Sequence, residues 1–412
     1  MAKIKATIKN SIYLTSAIVL NKLIFLIFII FLGRKFGATV VGQYAYLFAV
    51  VGMFFFDLGY GGLVVRTIAK HRKKTALLIG NVLVFEIAVS VFRFAALLVF
   101  IFFAQNNAAF EKALIITMLT SLFSLLSAKI AYVFAAHQKF IFVLLQEFFG
   151  NITTLIIGVT LLSNWHSDVA IIAIALAFLA GEFVSFCLSS FFMLRYFPVP
   201  VFRHEKRTLR WIFKNGWPFS ISSIFSNINS KLNMIILQAF TNFATVGLFA
   251  VIQKLLSTIE SIASSLLSAV YPVFSALHRK SIYKLKKFYN KIYAFFVAVN
   301  MLIIFCVFIA GGAVVLFLYG DEFKGAILPL KLFSFAIAMV LISNLNFTLL
   351  NSAHREKTVM WLIVIFTIFG FLLDVFAVWQ FGLYGLVASS LITLVALLYV
   401  QHGIIRRMFS KA

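Results

Sequence analysis

The chain has 412 residues, of which 63% are hydrophobic and only 12% charged, with a mean hydropathy of +1.05. A soluble domain carries roughly 25% charged residues to cover its surface, so a water-facing fold is excluded and lipid must cover the outside. The net charge of +24 would suit a nucleic-acid binder, but the Lys and Arg residues gather in short segments between apolar runs, which marks them as topology signals.

A helix crosses a bilayer in about 20 apolar residues. In chain order, windows of that size predict spans at 10–32, 41–64, 77–103, 113–135, 140–162 and 169–194. The first follows Lys3, Lys5 and Lys9; it is longer than a signal-peptide core and lacks a small-residue cleavage pattern, so it reads as a retained span. A basic segment then runs from 195 to 215 with Pro198 and Pro200, as a linker would. Beyond it, spans are predicted at 216–240, 245–273, 292–318, 327–350, 357–379 and 382–404. The expectation is an all-α membrane protein of about twelve helices in two pseudo-symmetric six-helix bundles, 1–202 and 203–412. Loops on the N-terminal side hold 26 of the 36 basic residues and the opposite loops four, Arg34, Lys35, Lys112 and Lys324. The positive-inside rule then puts both termini in the cytoplasm and makes the span number even.

The halves echo each other. FGATVVGQYAYLFAV (36–50) matches NFATVGLFAVIQKL (242–255), with Gly42 answering Gly247, and AAHQKF (135–140) matches SAHREK (352–357). Paired repeats of this kind are a transporter trait.

Twelve ionisable residues fall within spans: Lys22, Arg93, Lys129, Lys231, Lys254, Lys331, Asp57, Glu86, Glu147, Glu182, Glu260 and Asp374. A charge at the bilayer centre costs roughly 2.5–3.5 kcal/mol on insertion scales, so such residues face a cavity or a partner. Lys129 and Lys331 lie within two turns of helix ends, from where they can snorkel. Glu86 and Arg93 are seven residues apart, two turns on one face, and can pair; Asp57 and Glu182 read as structural acids, while Glu147 has no obvious partner. Asp57, Glu86 and Glu147 are the candidate coupling acids. Lys22 and Lys231 sit mid-span, 16 and 13 residues before the shared Ala-Thr at Ala38 and Ala244. That offset is about one turn, so both project from matching faces.

Polar stripes accompany these lysines: Ser11, Thr15 and Lys22 in the first span, then Ser220, Ser223, Asn227 and Lys231 in the seventh. The eighth carries Lys254, Ser257, Ser261, Ser264, Ser265 and Ser268 beside Glu260, and the tenth Asn344, Thr348 and Asn351. Small hydroxyls on a span mostly serve helix packing, but mid-span lysines beside amides suggest a water-filled, net-positive cavity for an anionic or polyhydroxylated cargo. No P-loop is present, the seven His form no metal-binding pattern, and Cys187 and Cys306 lie singly in apolar runs. No cofactor or metal is expected.

Two stretches stand out, FLGRKFGATVVGQYAYLFAVVGMFFFDLGYGGLVVRTIAK (31–70) and NGWPFSISSIFSNINSKLNMIILQAFTNFATVGLFAVIQKLL (215–256), and the first carries both an LGR-x-x-G-x-x-x-x-G and a D-x-G-x-x-x-x-x-x-R pattern. Here the chain resembles the polysaccharide or O-antigen repeat-unit (Wzx-type) flippases of the MATE-like multidrug/oligosaccharidyl-lipid/polysaccharide exporter superfamily. The resemblance implies translocation of undecaprenyl-pyrophosphate-linked oligosaccharide across the bacterial inner membrane by alternating access, for lipopolysaccharide or other surface polysaccharide. It implies that Lys22, Arg93, Lys231 and Lys254, with Asn227 and Lys129, meet the pyrophosphate and sugars. It also implies membrane lipids, a polysaccharide polymerase and a chain-length regulator as partners, and no nucleic acid. The alternatives are a cation-coupled multidrug antiporter and a membrane-embedded glycan-processing enzyme, the latter disfavoured by short outer loops such as 163–168 and 319–326.

Overall fold

The structure is a computed structural model that describes residues 2–104, 107–164, 169–202 and 206–410; side chains are described from residue 23, except at 104, 206–216, 218, 219, 262, 265, 268 and 269. Lys22, Ser11, Thr15, Ser265 and Ser268 therefore lie outside the described side chains. Among the described residues the chain is helical, without strands. The helices are α1 (Ala2–Phe54), α2 (Gly61–Lys70), α3 (Thr75–Ala104), α4 (Ala108–Ala136), α5 (Phe140–Asn164) and α6 (Ala170–Tyr196). They continue with α7 (Lys206–Phe240), α8 (Phe243–Lys280), α9 (Ile282–Tyr319), α10 (Ile327–Ser352) and α11 (Glu356–Ser410).

Two of these are each two helices joined at a glycine. Gly37 has φ 75° within α1 and Gly382 φ 56° within α11, a backbone that only glycine adopts cheaply. Counted on either side of those glycines, and leaving out the short α2, twelve long helical segments are described, at the places the apolar windows predict. Among the described residues nine helices are long and apolar enough to cross a membrane. Phe92, Phe102, Phe103, Phe317 and Trp379 stand outward, as lipid-facing side chains must. The protein is a multi-pass membrane protein.

One predicted span is shorter than expected. The window 41–64 stops at Phe54, because Gly59 turns with φ 74° and its N–H is taken by the Asp57 carboxylate at 3.3 Å. That turn launches α2 separately, with Gly61 pressed so closely on the Tyr132 ring that a Cβ would sit 2.6 Å from it.

The chain divides into two compact units, Met1–Leu32 with Tyr46–Asn227, and Gly33–Ala45 with Ile228–Ala412. In the first, α5 packs on α6 through Gly150 and Gly181, whose Cβ positions would collide with Ser185 and Thr154; small residues let helix backbones approach where water supplies no drive. Its apolar core gathers Val64, Ile68, Ile79, Val133, Phe134 and Met193. In the second unit Phe274, Leu285, Leu345, Leu349 and Ile405 form the core. A buried polar chain runs through it: Tyr289 donates to Asn346 at 2.8 Å, Asn346 to Gln401 at 2.9 Å and Gln401 to Ser343 at 2.9 Å. It ties α9, α10 and α11 together with each of these bonds in good geometry.

The echoed segments acquire a physical meaning here. Within the second unit the start of α8 crosses the part of α1 beyond Gly37. A Cβ on Gly42 would lie 1.7 Å from the Phe243 carbonyl oxygen, and one on Gly247 would lie 2.0 Å from that of Ala38. The contact is reciprocal, so the repeat pairs with itself. The other echo marks identical helix ends. Gln138 and His354 both have φ 57°, and Lys139 and Arg355 return hydrogen bonds to Phe134 and Leu350, closing α4 and α10 in Schellman turns. The structural register of this second echo is one residue off the letter match, since His137 precedes the left-handed residue while His354 is that residue.

Candidate functional site

Four of the predicted intramembrane charges meet in the first unit. Arg93, two turns after Glu86 on α3, pairs with it at 2.5 Å, as the seven-residue spacing suggested. Lys129 of α4 reaches Asp57 at 2.7 Å and Glu86 at 3.5 Å. Its side chain is fully buried, so it is held inside and does not snorkel to the interface. Two tyrosines complete the network: Tyr60 donates to Glu86 at 3.0 Å and Tyr132 to Asp57 at 2.6 Å. Both rings also lie under the Lys129 ammonium, 5.0 and 5.3 Å from their centroids. Arg93 adds a bond to the Phe56 carbonyl at 2.9 Å, and Ser223 of α7 donates to the Asp57 carbonyl at 2.7 Å.

Two cations and two carboxylates cancel. Such a cluster is tolerated in an apolar interior only when its hydrogen bonds are made, and the tyrosines and carbonyls make them. Of its four charged members Asp57 is the most accessible, with its side chain 43% exposed. Arg93 and Lys129 thus hold charges already answered by Glu86 and Asp57. Sequence reasoning missed both tyrosines. Tyr132 lies three residues after Lys129 on one helix face and was within reach of pattern analysis; Tyr60 follows a non-helical turn and was not.

Lys231 is placed differently. It is half-buried on α7 in the second unit and has no hydrogen bond or ion pair among the described residues. Asn227, one turn earlier, donates to the Ser223 carbonyl at 3.1 Å. Lys254 of α8 is likewise half-buried and has partners, while Lys331 lies 5.8 Å from the centre of the Phe308 ring. Glu260 accepts from Asn344 at 3.3 Å. Glu147 and Glu182, on α5 and α6, are near enough for their charges to interact, and Glu182 is hydrogen-bonded with Ser124. Asp374 accepts from Ser389 between the two segments of α11. Among the described residues no cluster of His, Cys, Asp and Glu could hold a metal ion.

The LGR-x-x-G pattern proves to be a clasp in the second unit. Gly33 lies under Tyr319 and Phe323, and Arg34 donates to the Leu318 carbonyl at 2.9 Å and to that of Phe317, neutralising the carbonyl end of α9. In return Glu322 accepts from the Ala38 N–H at 2.8 Å, capping the helix that begins after Gly37.

The sequence matches the family described as "Polysaccharide biosynthesis protein" over residues 7–278. No curated protein matches it significantly. The structure is similar to an inward-facing multidrug resistance MATE family transporter of the MOP superfamily, with TM-score 0.76 and 13% identity over 95% of this chain and 96% of that one. It is similar to the lipid II flippase MurJ in an inward closed conformation, with TM-score 0.70 and 17% identity over 94% and 86%. A MOP superfamily transporter from Pyrococcus furiosus matches with TM-score 0.66 and 13% identity over 98% and 96%. At these identities the likeness is one of fold.

Proposed function

The chain belongs to the polysaccharide biosynthesis protein family, and from that premise we propose that it is a flippase for undecaprenyl-pyrophosphate-linked oligosaccharide repeat units. It carries them from the cytoplasmic to the periplasmic leaflet of a bacterial inner membrane by alternating access, with both termini cytoplasmic and no covalent chemistry. The product passes to a polysaccharide polymerase and its chain-length regulator, for O-antigen, lipopolysaccharide or a related surface glycan. The likeness to the lipid II flippase MurJ supports a lipid-linked cargo.

The observation that carries the reading is Lys231. An ammonium on a membrane helix without an anionic partner among the described residues awaits one, and a diphosphate supplies it. In this reading Lys22 and Lys254 also serve the cargo, with Asn227, one turn before Lys231 on α7, as a neutral donor. Arg93 and Lys129 join only when their carboxylates are neutralised. Protonation of Asp57 or Glu86 would release a cation to the cargo, and loss of the proton would reclaim it. In this scheme the two acids couple proton movement to binding, with Glu147 a third candidate.

Replacing Lys231 and Lys22 together by Ala should abolish surface glycan while the protein stays in the membrane; Lys231→Arg should retain it. Unaltered glycan in the double Ala variant would overturn the assignment. The second reading is a cation-coupled multidrug antiporter, favoured by the fold shared with MATE transporters and by the acid pair Asp57 and Glu86. Proton-driven efflux of cationic dyes from proteoliposomes, without movement of lipid-linked glycan, would select it.

A further inference from the structure

A cavity of about 560 Å³ opens in the second unit between α8 and α10, lined by Ser264, Leu267 and Tyr271 on one side and Asn344, Phe347, Thr348 and Asn351 on the other. That volume lies within the ~300–1,000 Å³ of small-molecule sites. The α10 residues follow spacings of three and four, so they form one face of that helix, and the α8 residues do the same.

The lining chemistry is unlike that of the lysine surface. Among the described residues no Lys, Arg, Asp or Glu lines the cavity. Glu260, one turn from Ser264, is engaged by the Asn344 amide at 3.3 Å. Thr348 donates to the Asn344 carbonyl at 2.7 Å, which leaves its oxygen turned out as an acceptor. The half-buried Asn351 side chain has no hydrogen-bond partner among the described residues, so it offers an NH₂ and a carbonyl oxygen together. Donors and acceptors in alternation suit vicinal hydroxyls, each of which both donates and accepts. A phosphate would use only the donors, and a lipophilic cation would want a carboxylate. Phe347 and Tyr271 supply flat faces for the C–H side of a ring.

We infer that this cavity is a glycosyl subsite: it binds neutral, hydroxyl-bearing sugar rings of the cargo, apart from the cations that meet its phosphates. It lies toward the ends of α8, whose last turn carries Arg279 and Lys280, and of α10, which Arg355 and Lys357 follow; the proposed topology makes these ends cytoplasmic, where a glycan headgroup first arrives. The inference rests on the flippase reading and adds to it the part of the molecule that recognises sugar.

The test uses the full chain in nanodiscs and two probes, bare undecaprenyl diphosphate and the lipid-linked oligosaccharide purified from the source cells. The wild-type protein should bind the glycosylated probe at least tenfold more tightly than the bare one. Asn351→Ala and Thr348→Val should remove that preference and leave affinity for the bare probe unchanged, which also shows that the variants fold. The Asn344→Ala/Asn351→Ala variant should do the same. Variants that keep the full tenfold preference overturn the subsite. Equal binding of both probes by the wild-type protein also overturns it and leaves the flippase reading standing. Binding of neither probe by the wild-type protein overturns the flippase reading, and the subsite with it.

Discussion

Lys129 shows how a single residue can carry opposite demands. A buried ammonium is costly alone, yet here it bridges Asp57 and Glu86 and lies over two tyrosine rings. Removing it strands the Asp57 carboxylate, while Arg93 still answers Glu86. Breaking a buried pair costs about 3–5 kcal/mol, and the lower end applies because Asp57 is partly water-exposed. Lys129→Met should therefore lower the thermal unfolding midpoint in detergent, with a loss of about 3 kcal/mol. Adding Asp57→Asn should recover more than half, because the remaining Arg93–Glu86 pair is balanced. If the double variant is less stable than the single one, the network is not organised around that charge balance. The bland expectation of snorkelling failed for Lys129 because distance to a helix end says nothing about which neighbours crowd the path.

At the level of elements, glycine placement is the informative feature. Gly42 and Gly247 permit a backbone crossing so close that neither has room for a methyl group. Gly42→Leu would force α1 and α8 apart or abolish their contact, and overpacking of this kind costs about 1–3 kcal/mol or more. Its expected outcome is a lowered unfolding midpoint and reduced membrane yield. Gly61→Ala should also destabilise, since the Tyr132 ring occupies the space, whereas Gly62→Ala, with nothing within 4 Å, should be neutral or mildly stabilising. Equal effects at Gly61 and Gly62 in a thermal-shift assay would contradict this account. The clasp between Arg34, Glu322 and the helix ends belongs to the same scale, where each unsatisfied helix terminus is matched by a side chain from another element.

For the whole molecule, the distribution of charge argues the orientation. Basic clusters at 66–74 and 279–291 are expected in the cytoplasm, and the 319–326 connection outside. In a background with Cys187 and Cys306 replaced, a single cysteine at Lys73 or Lys286 should be protected from an impermeant maleimide applied to intact spheroplasts. One at Lys324, which is exposed, should react. The reverse labelling pattern would invert the topology and with it the proposed direction of transport.

Sequence alone determined the membrane character, the positions of the long helices and the family, because bilayer thickness sets helix length and the absence of water enforces helical hydrogen bonding. It also foresaw the Glu86–Arg93 pair, whose partners share one helix and one periodicity. Tertiary structure alone decided which charges are answered. Asp57 and Lys129 are 72 residues apart and meet only through the packing of α4 against the turn that precedes α2. Lys231 has no hydrogen bond or ion pair among the described residues, a fact that no spacing along α7 contains. The repeat was legible as letters, but that its two copies cross each other at Gly42 and Gly247 was not, since periodicity within a helix fixes its faces and leaves open what each face will meet.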